Sequence, residues 1–275
     1  RIRMLDKILK AVHDNLENWN TPKNLALCLS CIDLTTLNTT DTRARVESFA
    51  AKVNGFKAKF SEYPLPAAIC VYSQWGGAVT DALKEKDVKV AVVAGGFPHS
   101  QTFLDVKLME CRKAVEAGAD EVDVVLPLNL FMAEDYEGAS KEIAAMKEAV
   151  GEKHLKVILE TGAIASSEKI HRAAMLAMEA GADFIKTSTG KLEPGATPAA
   201  AIVMCNSIKE YYKKTGRKVG FKPAGGISTV KDALCYLAIV DTILGKEWLT
   251  PELFRIGASR LANNLLSALE QKTIG

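Results

Sequence analysis

Hydrophobic positions along the chain fall into two alternating patterns. Short apolar runs rich in Val and Ile occupy residues 31–35, 67–72, 89–94, 121–126, 155–160, 184–189, 219–223 and 254–257. They are continuous rather than alternating, the mark of strands in a parallel sheet that is covered on both faces. Successive runs start 22 to 36 residues apart, which leaves room for a crossover helix each time. Between them apolar residues return at helical spacing, as in Leu104, Leu108, Cys111 and Val115, or Leu261, Leu265 and Leu269. Thr197-Pro198 reads as an N-cap with proline at the first helical position, and Gly216 can close that helix. The segment Glu116-Ala-Gly-Ala-Asp120 recurs 63 residues later as Glu179-Ala-Gly-Ala-Asp183. In both copies a helix is expected to stop at the glycine, Gly118 or Gly181, and a strand to follow. Before the first strand, Leu5, Leu9, Val12, Leu16 and Trp19 mark an extra amphipathic helix, expected to cover one end of the fold.

Eight such strand–helix units predict a single (β/α)8 TIM barrel over residues 1–275, with residues 1–27 as an N-terminal helical extension. A doubly wound open sheet is the alternative. The length of 275 residues suits one barrel, which typically needs about 250.

Composition narrows the function classes. Hydrophobic residues make up 48% and charged residues 25%, the balance of an ordinary globular domain. A net charge of +2 gives no reason to expect nucleic acid or an acidic membrane as partner. The longest stretch without formal charge, residues 63–80, is interrupted by Pro64, Pro66, Gly76 and Gly77, so no membrane span is predicted. No signal-peptide or Arg-rich transit pattern opens the chain at Arg1, and six cysteines are too few for a disulfide scaffold. Together these predict a reducing, cytoplasmic setting. Cys28-x-x-Cys31 has no second pair at zinc spacing, and residues three apart on a strand point to opposite faces. His13, His99, His154 and His171 show no metal-ligand spacing, so no metal and no cofactor are expected. His99 falls in the loop after the third strand and reads as a surface residue.

The chemistry lies in charges where strands should be apolar. Asp33 ends the first run, Asp123 lies inside the fourth, Lys186 inside the sixth and Lys222 inside the seventh. A buried charge is costly unless it has a partner or a purpose. The sixth and seventh strands of a parallel barrel are neighbours, so the two lysines are expected to face each other near the C-terminal mouth. Two close ammonium groups depress each other's pKa, and burial acts in the same direction. A lysine that is neutral near pH 7 attacks carbonyls to form a Schiff base, and Asp123 is placed to shuttle protons. The residue pattern leaves open which lysine is the nucleophile. Cys70, mid-strand, is either a small core residue or a barrel-facing group near the site.

Glycines add a second signal. Thr189-Gly190-Lys191 follows the sixth run, Gly225-Gly226 the seventh, and Gly257-Ala-Ser259 the eighth. In (β/α)8 enzymes the loops after the last strands often bind phosphate through backbone N–H groups. A lysine nucleophile beside a phosphate cradle points to carbonyl chemistry on a phosphorylated sugar.

These segments resemble the deoxyribose-phosphate aldolase family. Phe184-Ile-Lys-Thr-Ser-Thr-Gly-Lys191 is similar to its Schiff-base lysine segment, and Gly220-Phe-Lys-Pro-Ala-Gly-Gly226 to its second-lysine segment. Ile32-Asp-Leu-Thr-Thr-Leu37, Ala68-Ile-Cys-Val-Tyr72, Ala94-Gly-Gly-Phe-Pro98, Asp120-Glu-Val-Asp-Val-Val125 and Phe254-Arg-Ile-Gly-Ala-Ser259 follow family segments in the same order. The resemblance implies a metal-free class I aldolase that cleaves 2-deoxy-D-ribose 5-phosphate to acetaldehyde and D-glyceraldehyde 3-phosphate. It implies Lys186 as the nucleophile, Lys222 lowering the pKa of Lys186, and Asp123 in proton transfer. Asp33, Thr35, Cys70 and Thr189 would contact substrate, and Gly190, Lys191, Gly225, Gly226, Gly257 and Ser259 would surround the phosphate. The sugar phosphate is then the only partner implied besides a second copy of the chain in a homodimer. Two departures stand out: Arg260 replaces a second serine, and the tail through Gly275 carries no tyrosine to move the enamine proton. Another Schiff-base lyase, a transaldolase, or a non-catalytic barrel scaffold are the rival readings.

Overall fold

A computed structural model describes residues 2–274; Arg1 and Gly275, the two ends of the expected domain, lie outside the described residues. Eight parallel strands form the sheet: β1 (Ile32–Thr35), β2 (Ala68–Tyr72), β3 (Lys89–Val93), β4 (Glu121–Val125), β5 (His154–Ile158), β6 (Phe184–Lys186), β7 (Gly220–Lys222) and β8 (Ile256–Ala258). Each lies inside or at the edge of an apolar run read from the sequence. Their order is β7-β6-β5-β4-β3-β2-β1-β8. Parallel bridges from Phe221 to Phe254 and from Ala224 to Gly257 join the two ends, which makes the sheet a barrel rather than an open layer. Register places Lys186 directly beside Lys222, and Asp123 beside Lys156.

Alternation along each strand separates two environments. The outward set, including Ile32, Ile69, Val71, Val92, Val122, Val124, Val157, Ile185, Phe221 and Ile256, packs under the helices in one continuous apolar core. The inward set is different on the two sides of the barrel. β2 and β3 contribute Ala68, Cys70, Ala91 and Val93, a small separate cluster. β4 to β8 contribute Glu121, Asp123, Lys156, Lys186, Lys222 and, just before β8, Arg255, all buried. Small side chains opposite leave the volume that these long charged ones fill. A (β/α)8 interior is usually filled by branched apolar residues; here much of it is ionic.

The helices follow the expected caps. Thr197 Oγ1 accepts from the Ala200 amide at the start of Pro198–Thr215, and Gly216 ends that helix at φ 76°. The N-terminal extension differs from expectation. It breaks into Ile2–Asp14, Leu16–Trp19 and Pro22–Ser30. The first two lie along the outer helices Pro198–Thr215 and Val230–Ile243 instead of covering one end of the barrel, because the stripe Leu5, Ile8, Leu9 and Val12 packs sideways into that core. Cys28 stands on the third helix and Cys31 at its C-cap, not both on a strand. Burial pushes the Cys31 thiol up to about 12 and Cys28 well above its ordinary value, so neither supplies a thiolate.

Candidate active site

The charges read inside the strands do converge. Lys186 Nζ donates to Asp123 Oδ2 at 3.0 Å. Lys222 Nζ donates to the same oxygen at 2.8 Å and to Asp33 Oδ2 at 2.6 Å. Three residues not singled out from the sequence complete the cluster. Lys156 Nζ lies 3.1 Å from Asp33 Oδ2 and 2.8 Å from Glu121 Oε1. It also stands 3.1 Å from Asp123 Oδ1, an ion-pair contact with angles too poor for a hydrogen bond. Arg255 grips Glu121 with both terminal nitrogens at 2.7 Å and reaches Asp33 Oδ1 at 2.9 Å.

Burial and charge act against each other at the carboxylates and at Lys222. For Asp33 and Asp123, burial raises the pKa, but the surrounding cations outweigh it and hold both carboxyls below their usual range. Burial also works against the Lys222 cation, yet Asp123 and Asp33 raise its pKa above that of a free lysine. Lys186 goes the other way: burial first, then the neighbouring Lys222, lowers its pKa, and the single contact with Asp123 does not reverse this. The expected mutual depression of the two lysines therefore holds for Lys186 only. Lys222 touches two carboxylates where Lys186 touches one.

Above the cluster lies a cavity of about 540 Å³ at the C-terminal ends of the strands. Of the seven clustered charges, Lys186 alone lines it. Its wall includes Thr35, Thr189, Gly190, Lys191, Gly225, Gly226, Gly257 and Ser259. Asp33, Cys70, Asp123 and Lys222 are not part of the wall; they are buried beneath its floor. The turns after β6 and β7 need glycine. Gly190, Gly225 and Gly226 take φ of 79°, 92° and 78°, and a side chain on Gly225 would meet the Gly195 backbone at 3.0 Å. Among the described residues, the backbone N–H groups of these three glycines have no acceptor within the protein, which suits an incoming phosphate. Gly257 also serves the floor: a Cβ there would sit 3.1 Å from Lys222 Cε.

Several wall residues lie outside the set that the sequence points to. Arg45, Phe49 and Lys52 come from the helix Arg43–Asn54, and Arg45 and Lys52 both stand over the Phe49 ring. The signal available was only a pair of basic residues on a helix after β1. Arg260, the departure from the family pattern, lines the cavity as well. Glu160, buried at φ 55°, accepts from the Thr189 amide at 3.1 Å and its hydroxyl at 2.7 Å. Lys191 Nζ donates across the mouth to the Leu37 carbonyl. His99 is exposed and accepts from the Gln101 amide, a loop contact away from the wall.

Known proteins resemble the chain over most of its length. Residues 27–260 match the model of the DeoC/LacD family aldolases. The chain is 44% identical over 255 residues to the deoxyribose-phosphate aldolase of Bos taurus, covering 86% of this chain and 78% of that one. It is 43% identical over 259 residues to the Homo sapiens deoxyribose-phosphate aldolase, covering 88% and 79%. A tetrameric deoxyribose phosphate aldolase structure from Aeropyrum pernix superposes with a TM-score of 0.70 at 25% identity, covering 97% of both chains.

Proposed function

This chain belongs to the DeoC/LacD aldolase family, and from that premise we propose that it reversibly cleaves 2-deoxy-D-ribose 5-phosphate through a Schiff base on Lys186. The products are acetaldehyde and D-glyceraldehyde 3-phosphate. The observation that carries the choice of nucleophile is that Lys186 is the one clustered cation on the cavity wall, and its pKa is lowered while that of Lys222 is raised. The neutral amine adds to the C1 aldehyde of the open-chain sugar. The carbinolamine loses water, with Lys222 as proton donor and Asp123 as acceptor, both within 3.0 Å of the reacting nitrogen or of each other. The iminium then draws the C2–C3 bonding pair as the C3 hydroxyl gives up its proton. D-glyceraldehyde 3-phosphate leaves, and an enamine remains on Lys186. Protonation at C2 and addition of water release acetaldehyde and restore the amine. The iminium supplies the electron sink that the reaction needs.

Gly190, Lys191, Gly225, Gly226, Gly257 and Ser259 take the phosphate in this reading, joined by Arg260. Thr35 and Thr189 offer hydroxyls to the sugar, while Asp33 and Cys70 act from beneath the floor. The unpaired state of all six cysteines supports a reducing compartment such as the cytoplasm, and a role in deoxyribonucleotide catabolism follows from the substrate. Exposed Phe103, Val106 and Met109 along the helix Leu104–Glu116 support a homodimer, which light scattering at micromolar concentration would test.

Borohydride trapping with deoxyribose 5-phosphate, followed by peptide mass spectrometry, tests the proposal directly. The expected result is a reduced two-carbon or sugar adduct on Lys186. Lys186→Ala is expected to form no adduct and to lose roughly 10⁴-fold or more in turnover while remaining folded. An adduct on Lys222 alone overturns the assignment.

A further inference from the structure

Three buried charges, Glu121, Lys156 and Arg255, take no part in the reaction just described. They share strand parity with residues of the reactive layer: Glu121 lies two before Asp123 on β4, Lys156 two before Ile158 on β5, and Arg255 two before Gly257 of β8. They therefore form the next inward layer, one step toward the N-terminal end of the barrel. Stability is a weak reason for such a layer, because buried ion pairs are often no better than apolar residues of similar volume. Charge count supplies another reason. The interior holds three carboxylates, Asp33, Glu121 and Asp123, against four cations, Lys156, Lys186, Lys222 and Arg255. This cluster is neutral when one of its four cations has no proton, and Lys186, which touches one carboxylate where Lys222 touches two and Lys156 three, is the cation held least.

We propose that Glu121 and Arg255 are positioning residues of the Schiff-base reaction: this bidentate pair, beneath Asp33 and beside Lys156, sets the charge of the barrel interior and so the pH at which Lys186 offers its amine. The inference rests on Lys186 as nucleophile. The groups facing Lys186 are Asp123 from β4, Lys222 from β7 and the Cys70 thiol from β2; Lys191 shares its cavity wall, which carries no carboxylate among the described residues. Glu121 is faced by Arg255 from β8, Lys156 and His154 from β5, and Asp33 from β1. Glu121 and Arg255 reach Lys186 only through these neighbours and by field. Removing the Glu121 charge leaves excess positive charge and makes the Lys186 ammonium less favourable. Removing the Arg255 charge does the opposite.

The experiment compares pH profiles of kcat/KM for deoxyribose 5-phosphate in the full chain, with borohydride trapping on each variant. Glu121→Gln is expected to move the acid limb down by on the order of one pH unit, and Arg255→Met to move it up by a similar amount. Glu121→Asp and Arg255→Lys keep the charge and are expected to restore the limb to its original position, which a merely structural role would not do. Lys156→Gln removes a cation from the same layer and repeats the upward shift, so the test survives if Arg255→Met does not fold. The double variant Glu121→Gln with Arg255→Met, which loses one charge of each sign, is expected to keep the original limb. Folded charge-changing variants whose limb stays in place, or shifts in the same direction for both signs, overturn the proposal. Failure of the unaltered protein to trap at Lys186 overturns the nucleophile assignment instead, so the two failures are distinct.

Discussion

Asp123 is the carboxylate that reaches the nucleophile: it meets Lys186 and Lys222 through Oδ2 and Lys156 through Oδ1. Asp123→Asn keeps the shape but removes the proton acceptor. We expect kcat to fall about 10²- to 10⁴-fold, measured by coupled detection of D-glyceraldehyde 3-phosphate, with the protein still folded. The four charges found from the sequence, Asp33, Asp123, Lys186 and Lys222, are visible there because each interrupts or ends an apolar run. Glu121 and Arg255 are not, because they stand at the entry of a strand, where a charge usually faces solvent; Lys156, between Leu155 and Val157 in the middle of β5, interrupts its run as the four do but is not singled out in the sequence. Parity separates the cases: 121 and 123 share a face, as do 255 and 257. Parity is readable only where the strand boundaries are known to the residue, which the apolar runs do not give. Choosing between the lysines needs still more, namely which of them meets two carboxylates.

At the scale of elements, the loop after β6 depends on one buried carboxylate. Glu160 holds both the amide and the hydroxyl of Thr189, and Thr189 Oγ1 in turn accepts from the Lys191 amide at 3.0 Å. Glu160→Gln is expected to raise KM for the sugar phosphate about tenfold, change kcat less, and cost about 1–3 kcal/mol of stability in urea unfolding. A similar dependence holds at β7, where a side chain on Gly220 would enter the Phe184 ring. Gly220→Ala is expected to destabilise by about 1–3 kcal/mol in the same assay. The strands are legible in the sequence because a short, continuous run of Val and Ile bounded by polar residues suits a strand covered on both faces and is too brief for a buried helix. The N-terminal extension reads as one helix although Thr21-Pro22 carries the same cap signal as Thr197-Pro198; Thr21 does cap Pro22–Ser30 through the Asn24 amide. The apolar stripe from Leu5 to Trp19 does run across the break at Asn15, between Ile2–Asp14 and Leu16–Trp19, and conceals it.

For the whole molecule, the ionic interior sets the pH range of stability. Asp33, Glu121 and Asp123 have folded pKa values below their unfolded ones. Their contribution is present above the unfolded value near 4 and is lost as pH falls through the folded values. Lys156 and Lys222 are shifted up, so their contribution is present below the unfolded lysine value of about 10.4 and is lost as pH rises through the folded values; Arg255, shifted up from a higher starting value, stays charged throughout. Urea midpoints are expected to be flat between about pH 5 and 9 and to fall steeply below about pH 4.

The floor of the cavity also divides the charges into those that dissolved ions can approach and those that they cannot. Lys191, Arg260, Arg45 and Lys52 are exposed at the mouth, while the seven charges beneath are buried. Ionic strength screens the first group over about 8–10 Å near physiological salt and hardly touches the second. One protein therefore carries both a salt-sensitive entrance and a salt-indifferent reaction chamber. In molar sodium chloride the capture of a dianionic sugar is expected to weaken several-fold in kcat/KM, while kcat and its acid limb keep their dilute-buffer values.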